Sequence, residues 1–185
     1  MKTICPWVSD NQLYIDYHDN EWGIPVHDDR KLFELLLLET FQAGLNWLTV
    51  LKKRENFRKA FDNFYPEIIA KYDQQKIQGL MTNEGIIRNR LKIMAAISNA
   101  DSFLKIVKEY GSFDKFIWKF TSHKTITNQW KNINEIPSKT KESDEMSKEL
   151  KKHGFKFVGS TICYAFMQAT GIVNDHTMDC WRHNK

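Results

Sequence analysis

Four residues of metal-binding type stand at the two ends of the sequence. His176 and Cys180 lie four apart, so in a helical conformation they share one face and could hold one ion between them. Two ligands leave a tetrahedral site open, and the missing pair is best sought at the other end of the chain, where Cys5 and His18 lie. A carboxylate offers a second chemistry. In RKLFELLLLETFQAG, Glu39 falls on the side of Leu32 and Leu36, where helical periodicity predicts an apolar residue. Burying a carboxylate costs several kcal/mol unless partners compensate, so Glu39 is either held structurally by hydrogen bonds or employed chemically. Glu34 fits the solvated flank of the same helix, and Trp47 stands in the turn that follows Glu39.

The first 27 residues are dense in aromatic and ligand-type side chains: Cys5, Trp7, Tyr14, Tyr17, His18, Trp22 and His27. A short helix over DNQLYIDYHD, capped by Asp10 or Asn11, gathers Tyr14, Tyr17 and His18 along one side. Each ring taken singly is explained by covering the core; grouped with Cys5 and His18 they favour a site. At the far end, residues 150–171 read as a charged helix end, a compact GFKFVG turn and an apolar second helix carrying Cys163. A helix–hairpin–helix of this kind can aim backbone N–H groups and a helix N-terminus at a phosphate, with Lys152 and Lys156 adding positive charge beside it. Lys52, Lys53, Arg54, Arg58 and Lys59 against Glu55 give +4 in eight residues, and Arg88, Arg90 and Lys92 project as a second basic group. The first group could lie along a phosphate backbone or form an ordinary solvated helix face.

The elements that must position these groups read as helices throughout. Asp28 and Asp29 suit a helix start, Gly44 ends that helix, the next begins around Asn46, and Pro66 opens another at its favoured first-turn position. The helical pattern continues through DQQKIQGLM and EGIIRNRLKIMAAISNADSFLKIVKEYG. Phe113, Phe116, Ile117 and Phe120 predict a short packed helix, with Trp118 helping to close the structure. A polar connector with Pro137 leads to a helix over 143–150, capped by Thr140 or Ser143. No run of alternating strand residues interrupts them, so the fold class is all-α. In the polar tail WRHNK, His183 reads as a surface residue rather than a ligand.

At 185 residues and 42% hydrophobic, the chain can bury a sizeable core as a single unit, one domain or two intimate lobes. A formal net charge of +4 permits a nucleic-acid partner without requiring one. Three cysteines are too few and too oddly numbered for a disulfide framework, and MKTICPWVSD lacks the apolar run of a signal peptide. The longest apolar run is broken by carboxylates, so no membrane span is expected and a reducing cytoplasm is the default.

Three blocks then carry a resemblance: YHDNEWG at 17–23, AGLNWLTVLKKRENFR at 43–58 and GFKFVGSTICYAFMQATGIVNDH at 154–176. In this order, and with the terminal Cys/His pairs, the chain resembles the bacterial DNA-3-methyladenine glycosylase I family of helix-hairpin-helix glycosylases along essentially its whole length. The resemblance implies excision of 3-methyladenine from double-stranded alkylated DNA, with the free base as product and without strand cleavage. It implies one structural zinc on Cys5, His18, His176 and Cys180, joining terminal regions 1–27 and 172–185. It implies a base pocket of Trp7, Tyr14, Tyr17, Glu39 and Trp47, with Glu39 the residue of catalytic interest and Cys163 a thiol without a metal role. Gly154, Lys156, Gly159 and Lys152 are the expected DNA contacts, and the protein is expected to be a DNA-associated, cytoplasmic monomer. Two departures stand out. The usual hairpin has two glycines separated by one residue, whereas here Phe157 precedes Gly159. Asp175 lies near the place of an aspartate that stabilises the sugar cation in other superfamily members, but it adjoins His176 and is kept outside the catalytic assignment. The contrasting reading is a zinc-stabilised helical DNA-binding protein without catalysis; a further one is an interaction domain with a vestigial site. Glu39 among aromatic residues argues against the former, because contact with the phosphate backbone has no need of a buried carboxylate.

Overall fold

Most helices begin where the sequence supplies a side-chain acceptor for an otherwise unpaired backbone N–H. The structure, a computed structural model, describes residues 2–184. Asn11, Asp28 and Asn46 cap α1 (Gln12–Asn20), α2 (Asp29–Gln42) and α3 (Trp47–Ala60). α4 (Pro66–Ile69) opens on its proline, and Asp73 and Asn89 cap α5 (Gln74–Thr82) and α6 (Arg90–Tyr110). Ser112 caps α7 (Phe113–Trp118), and Thr140 with Ser143 forms a reciprocal capping box on α8 (Lys141–Lys152). α9 (Ser160–Ala169) follows Gly159 and has no side-chain cap, so its first N–H groups are left open.

The exception to an all-helical chain is a parallel pair of two-residue strands, β1 (Ile126–Thr127) and β2 (Val173–Asn174), paired Ile126 to Val173. Strands this short carry no legible alternation; they arise where the polar connector runs beside the exit from α9.

α2 is the centre of the fold. Every residue from Leu32 to Phe41 is buried, because α3, α6, α7 and α9 all pack on it. The expectation of a solvated flank at Glu34 therefore fails. Glu34 is buried and accepts from Nε and Nη2 of Arg58 at 3.0 and 2.7 Å. The basic stretch of α3 is likewise partly committed to the fold, since Arg54 makes a bidentate pair with Glu21 at 2.7 and 2.8 Å. Arg58 also pairs with Glu55. Lys92, read as projecting, is buried and donates to the carbonyls of Phe41 and Ala43 at 2.9 and 2.7 Å.

The N-terminal segment is laced to the end of α9. Gly23 N–H donates to Gln168 O at 2.9 Å, and Val26 N–H to Thr170 O at 3.0 Å. The approach is so close that a Cβ on Gly171 (φ +67°) would lie 2.2 Å from the carbonyl carbon of Ile24. Only glycine fits there. His183, expected at the surface, stays outside the cluster of metal-binding type but is buried, with Nε2 2.9 Å from the carbonyl of Asn128.

Candidate active site

α1, the C-terminal turn of α2, the first turn of α3 and α9 enclose a cavity of about 320 Å³. Trp7, Tyr14, Tyr17, Glu39 and Trp47, the five expected pocket residues, all line it. The caps explain how α2 and α3 converge. α2 ends at Gln42, Gly44 turns the chain at φ +84°, and Asn46 starts α3 so that Trp47 is its first residue. Tyr17 packs against Trp47 with ring centroids 5.5 Å apart, and Trp7 stands edge-on to Tyr14 at 5.0 Å and to Trp22 at 4.9 Å.

Glu39 is buried, and its carboxyl has no hydrogen-bond or ionic partner among the described residues. Burial alone pushes its pKa up to about 8. Burial, and then the neighbouring Glu39, raises Tyr14 and Tyr17 above the ordinary phenol, so both remain protonated near neutral pH. The indole N–H groups of Trp7 and Trp47 are buried without acceptors among the described residues. Unpaired buried polar groups are costly, and here an acceptor and two donors are left unpaired around one cavity. Such a cavity is built for a flat, polar-edged ring, and a cationic ring gains extra attraction from aromatic faces and a carboxylate.

Next to the pocket, Cys5, His18, His176 and Cys180 are all buried, with their ligand atoms within 4.8 Å of one another. Cys5 Sγ lies 3.4 Å from His176 Nδ1, and Cys180 Sγ lies 3.4 Å from His18 Nε2 and 3.5 Å from His176 Nδ1. Donors around a tetrahedral ion with bonds of about 2.0–2.3 Å stand roughly 3.3–3.8 Å apart, so the set fits such an ion. The outer ring nitrogens are engaged: His18 Nδ1 lies 2.7 Å from Asp19 Oδ1, and His176 Nε2 is 3.1 Å from the carbonyl of Trp22. Burial lowers both histidines, His176 to about 4, which keeps them neutral as ligands must be. Cys163 is buried in α9 away from the cluster, its thiol donating to Val158 O at 3.4 Å.

In the hairpin, Phe157 has φ +56°, so it keeps the left-handed backbone that glycine usually supplies at that place. The N–H groups of Phe157, Val158 and Gly159 have no acceptor among the described residues, and a Cβ on Gly159 would meet nothing within 4 Å. Open space and unpaired N–H groups next to the N-terminus of α9 are suited to an anion, which would share that helix end with the Asp144 carboxylate beside Ser160. Lys152 and Lys156 are exposed beside it.

Asp175 is fully buried and saturated. Asn128 Nδ2 and Trp130 Nε1 donate to Oδ1 at 2.7 Å each, and the Tyr164 hydroxyl and Gln168 Nε2 donate to Oδ2 at 2.5 and 2.7 Å. A carboxylate with four donors is a structural hub tying α9 to the connector.

The pocket also includes residues that sequence reasoning missed as lining, among them Gln42, Ile133, Ile136, Thr161 and Gln168. Ile133 and Ile136 come from the connector, whose polar composition hid them. Thr161 and Gln168 are seven apart, two turns of α9, a periodicity that would have placed both on one face.

Comparison with known proteins agrees with this architecture. A family model described as methyladenine glycosylase matches residues 7–183. DNA-3-methyladenine glycosylase of Haemophilus influenzae is 51% identical over 180 residues, 97% of each chain. A crystal structure of 3-methyladenine DNA glycosylase I superposes with a TM-score of 0.96 at 51% identity, covering 98% of this chain and 100% of the other. A structure addressing 3-methyladenine recognition by the Staphylococcus aureus 3-methyladenine DNA glycosylase I has a TM-score of 0.95 at 38% identity, covering 98% and 96%. The chain belongs to the methyladenine glycosylase family, within the helix-hairpin-helix glycosylases.

Proposed function

We infer that this chain hydrolyses the N-glycosidic bond of 3-methyladenine in alkylated DNA. The observation that carries the reading is Glu39, a buried carboxyl without a partner inside an aromatic pocket. A base flipped from the duplex stacks on Trp47 and Tyr17, while Trp7 offers an N–H donor to its edge. Methylation at N3 gives the base a positive charge. When the bond to the sugar breaks, its electron pair passes to the base and cancels that charge, leaving the cation on the sugar, to which water adds with loss of a proton. The leaving group needs little acid assistance, and Glu39 selects the charged base at binding rather than protonating it. An unmodified purine lacks that charge and gains less from the site.

No lysine lines the pocket among the described residues, which supports base removal without a covalent sugar intermediate or strand cleavage. The open N–H groups of the hairpin, with Lys152 and Lys156, receive the phosphate backbone of double-stranded DNA. Cys5, His18, His176 and Cys180 hold one structural zinc, a donor set and spacing that suit it. The protein acts as a DNA-associated cytoplasmic monomer.

The direct test incubates the purified protein with alkylated duplex DNA and identifies the released bases. Release of 3-methyladenine with intact strands is the expected result. Duplex binding without base release would replace this reading with a zinc-stabilised DNA-binding protein.

A further inference from the structure

Two of the three buried polar side chains on α6, Lys92 and Asn99, make their hydrogen bonds outside the helix. Lys92 and Asn99 lie seven residues apart, so they share one face of the helix about 10 Å apart along its axis. Each reaches into one of the two segments that the proposed function assigns to DNA. The Lys92 ammonium donates to Phe41 O and Ala43 O. These are carbonyls at the C-terminal end of α2, where the helix dipole is negative and the last carbonyls lack intrahelical partners. Lys92 has no carboxylate within ion-pair distance among the described residues, so its charge is met by that helix end alone. The turn so held, 43–46, joins the helix bearing Glu39 to the helix begun by Trp47.

Asn99 is fully buried and clamps a single residue of the hairpin through both its backbone groups. Its Oδ1 accepts from Lys156 N at 2.8 Å, and its Nδ2 donates to Lys156 O at 3.1 Å. Lys156 immediately precedes Phe157, the residue with the left-handed backbone. An unclamped Lys156 would free the chain to leave that conformation, and the open N–H groups of 157–159 would no longer be held in place.

We propose that Lys92 and Asn99 are positioning residues that make α6 a ruler between pocket and hairpin, setting where the flipped base lies relative to the phosphates held outside. The inference rests on the hairpin and pocket having the roles proposed above. Lys92 sets the pocket rim and Asn99 the hairpin, so their loss has different kinetic signatures. A displacement of about 1 Å far from the chemistry can cost up to roughly a hundredfold in rate.

Lys92→Met keeps the aliphatic stem and removes the donors; Lys92→Gln is a milder replacement, and Lys92→Arg restores charge and donors. Each variant, with Asn99→Ala, is assayed for single-turnover excision, duplex affinity and affinity for free 3-methyladenine, at a temperature where unfolding curves show it folded. Lys92→Met and Lys92→Gln should lower the excision rate about tenfold or more with duplex affinity within about twofold, and Lys92→Arg should recover much of it. Asn99→Ala should weaken duplex binding about tenfold while free-base affinity stays unchanged. Folded Lys92 and Asn99 variants that excise and bind like the wild type would overturn the inference while leaving the glycosylase reading intact. A wild type that releases no base would overturn the glycosylase reading itself.

Discussion

His176 turns its Nδ1 toward both cysteines and its Nε2 toward the carbonyl oxygen of Trp22, 3.1 Å away. One imidazole thus joins the ligand cluster to a residue that lines the pocket. The contact is tight enough that a Cβ on Gly23 would lie 3.0 Å from the same Nε2. Trp7 continues the wall, edge-on to His18 at 5.5 Å and to Trp22. The cluster therefore supports the pocket as well as the chain ends.

Metal removal should consequently cost both stability and base binding. A strong chelator is expected to destabilise the protein by several kcal/mol and to abolish affinity for free 3-methyladenine. Cys180→Ala should reduce the zinc content from one per chain to nearly none. Unaltered thermal unfolding after complete metal removal would contradict this.

The pH dependence of excision should report Glu39. In the empty pocket its pKa is about 8, so the carboxyl is mostly protonated at pH 7. A cationic base favours the ionised form and must displace that proton. The apparent kcat/KM for alkylated duplex is expected to rise with pH through the neutral range and level off above about 8. Glu39→Gln should lose that rise along with most discrimination for the damaged base. A wild-type profile that is flat from about pH 6 to 9 would remove Glu39 from recognition.

Stability should run the other way. Glu39 ionises near 4.5 when unfolded but only near 8 when folded, so the folded state binds the extra proton between those values. Its contribution is complete below about 4.5 and is lost as pH rises through about 8. Glu39→Gln should therefore gain on the wild type at alkaline pH, by a few kcal/mol at most, because each tenfold change in proton affinity is worth roughly 1.4 kcal/mol. Equal pH dependence of denaturant midpoints in the two proteins would show a well-solvated carboxylate.

Asp175→Asn places an amide donor among four donors that previously met a carboxylate. A loss on the order of 3 kcal/mol is expected. Undiminished unfolding temperature with abolished excision would instead make Asp175 part of the chemistry.

Phe157 is 40% exposed, so more than half of its surface is covered, while its left-handed backbone is strained for a non-glycine residue. Relief of the backbone by about 1 kcal/mol should offset part of the lost ring burial in Phe157→Gly, so that it is more stable than the β-branched Phe157→Val, which loses the ring and keeps the strain. Parallel duplex-binding titrations would show whether the ring also contacts DNA. A large loss of stability in Phe157→Gly would mean that the ring, not the backbone, shapes the hairpin.

Local signals were the most legible part of the chain. Asn11, Asp28, Asn46 and Thr140 mark helix starts because each side chain accepts from a backbone N–H two or three residues on, and Pro66 because its ring suits the first turn. Glu39 was legible for a related reason, an ionisable group at an apolar position of a periodic helix. The same periodicity misled at Glu34, since it reports which face a residue occupies and not how many neighbours pack around the helix. Four helices cover α2, and no flank of its central turns is left to solvent.

The sequence by itself determined the helical class, several of the helix starts, the identity of the four ligand-type residues and the hairpin between α8 and α9. Those properties depend on side-chain type and on contacts a few residues apart. Tertiary structure alone decided which charges are spent internally: Arg54 on Glu21, Arg58 on Glu34, Lys92 on the end of α2 and Asp175 on its four donors. Each of these pairings spans from seven to more than fifty residues of chain. A charge in a sequence looks the same whether its partner is water, a phosphate or a carbonyl of a distant helix. Only packing removes the water and so determines which partner remains.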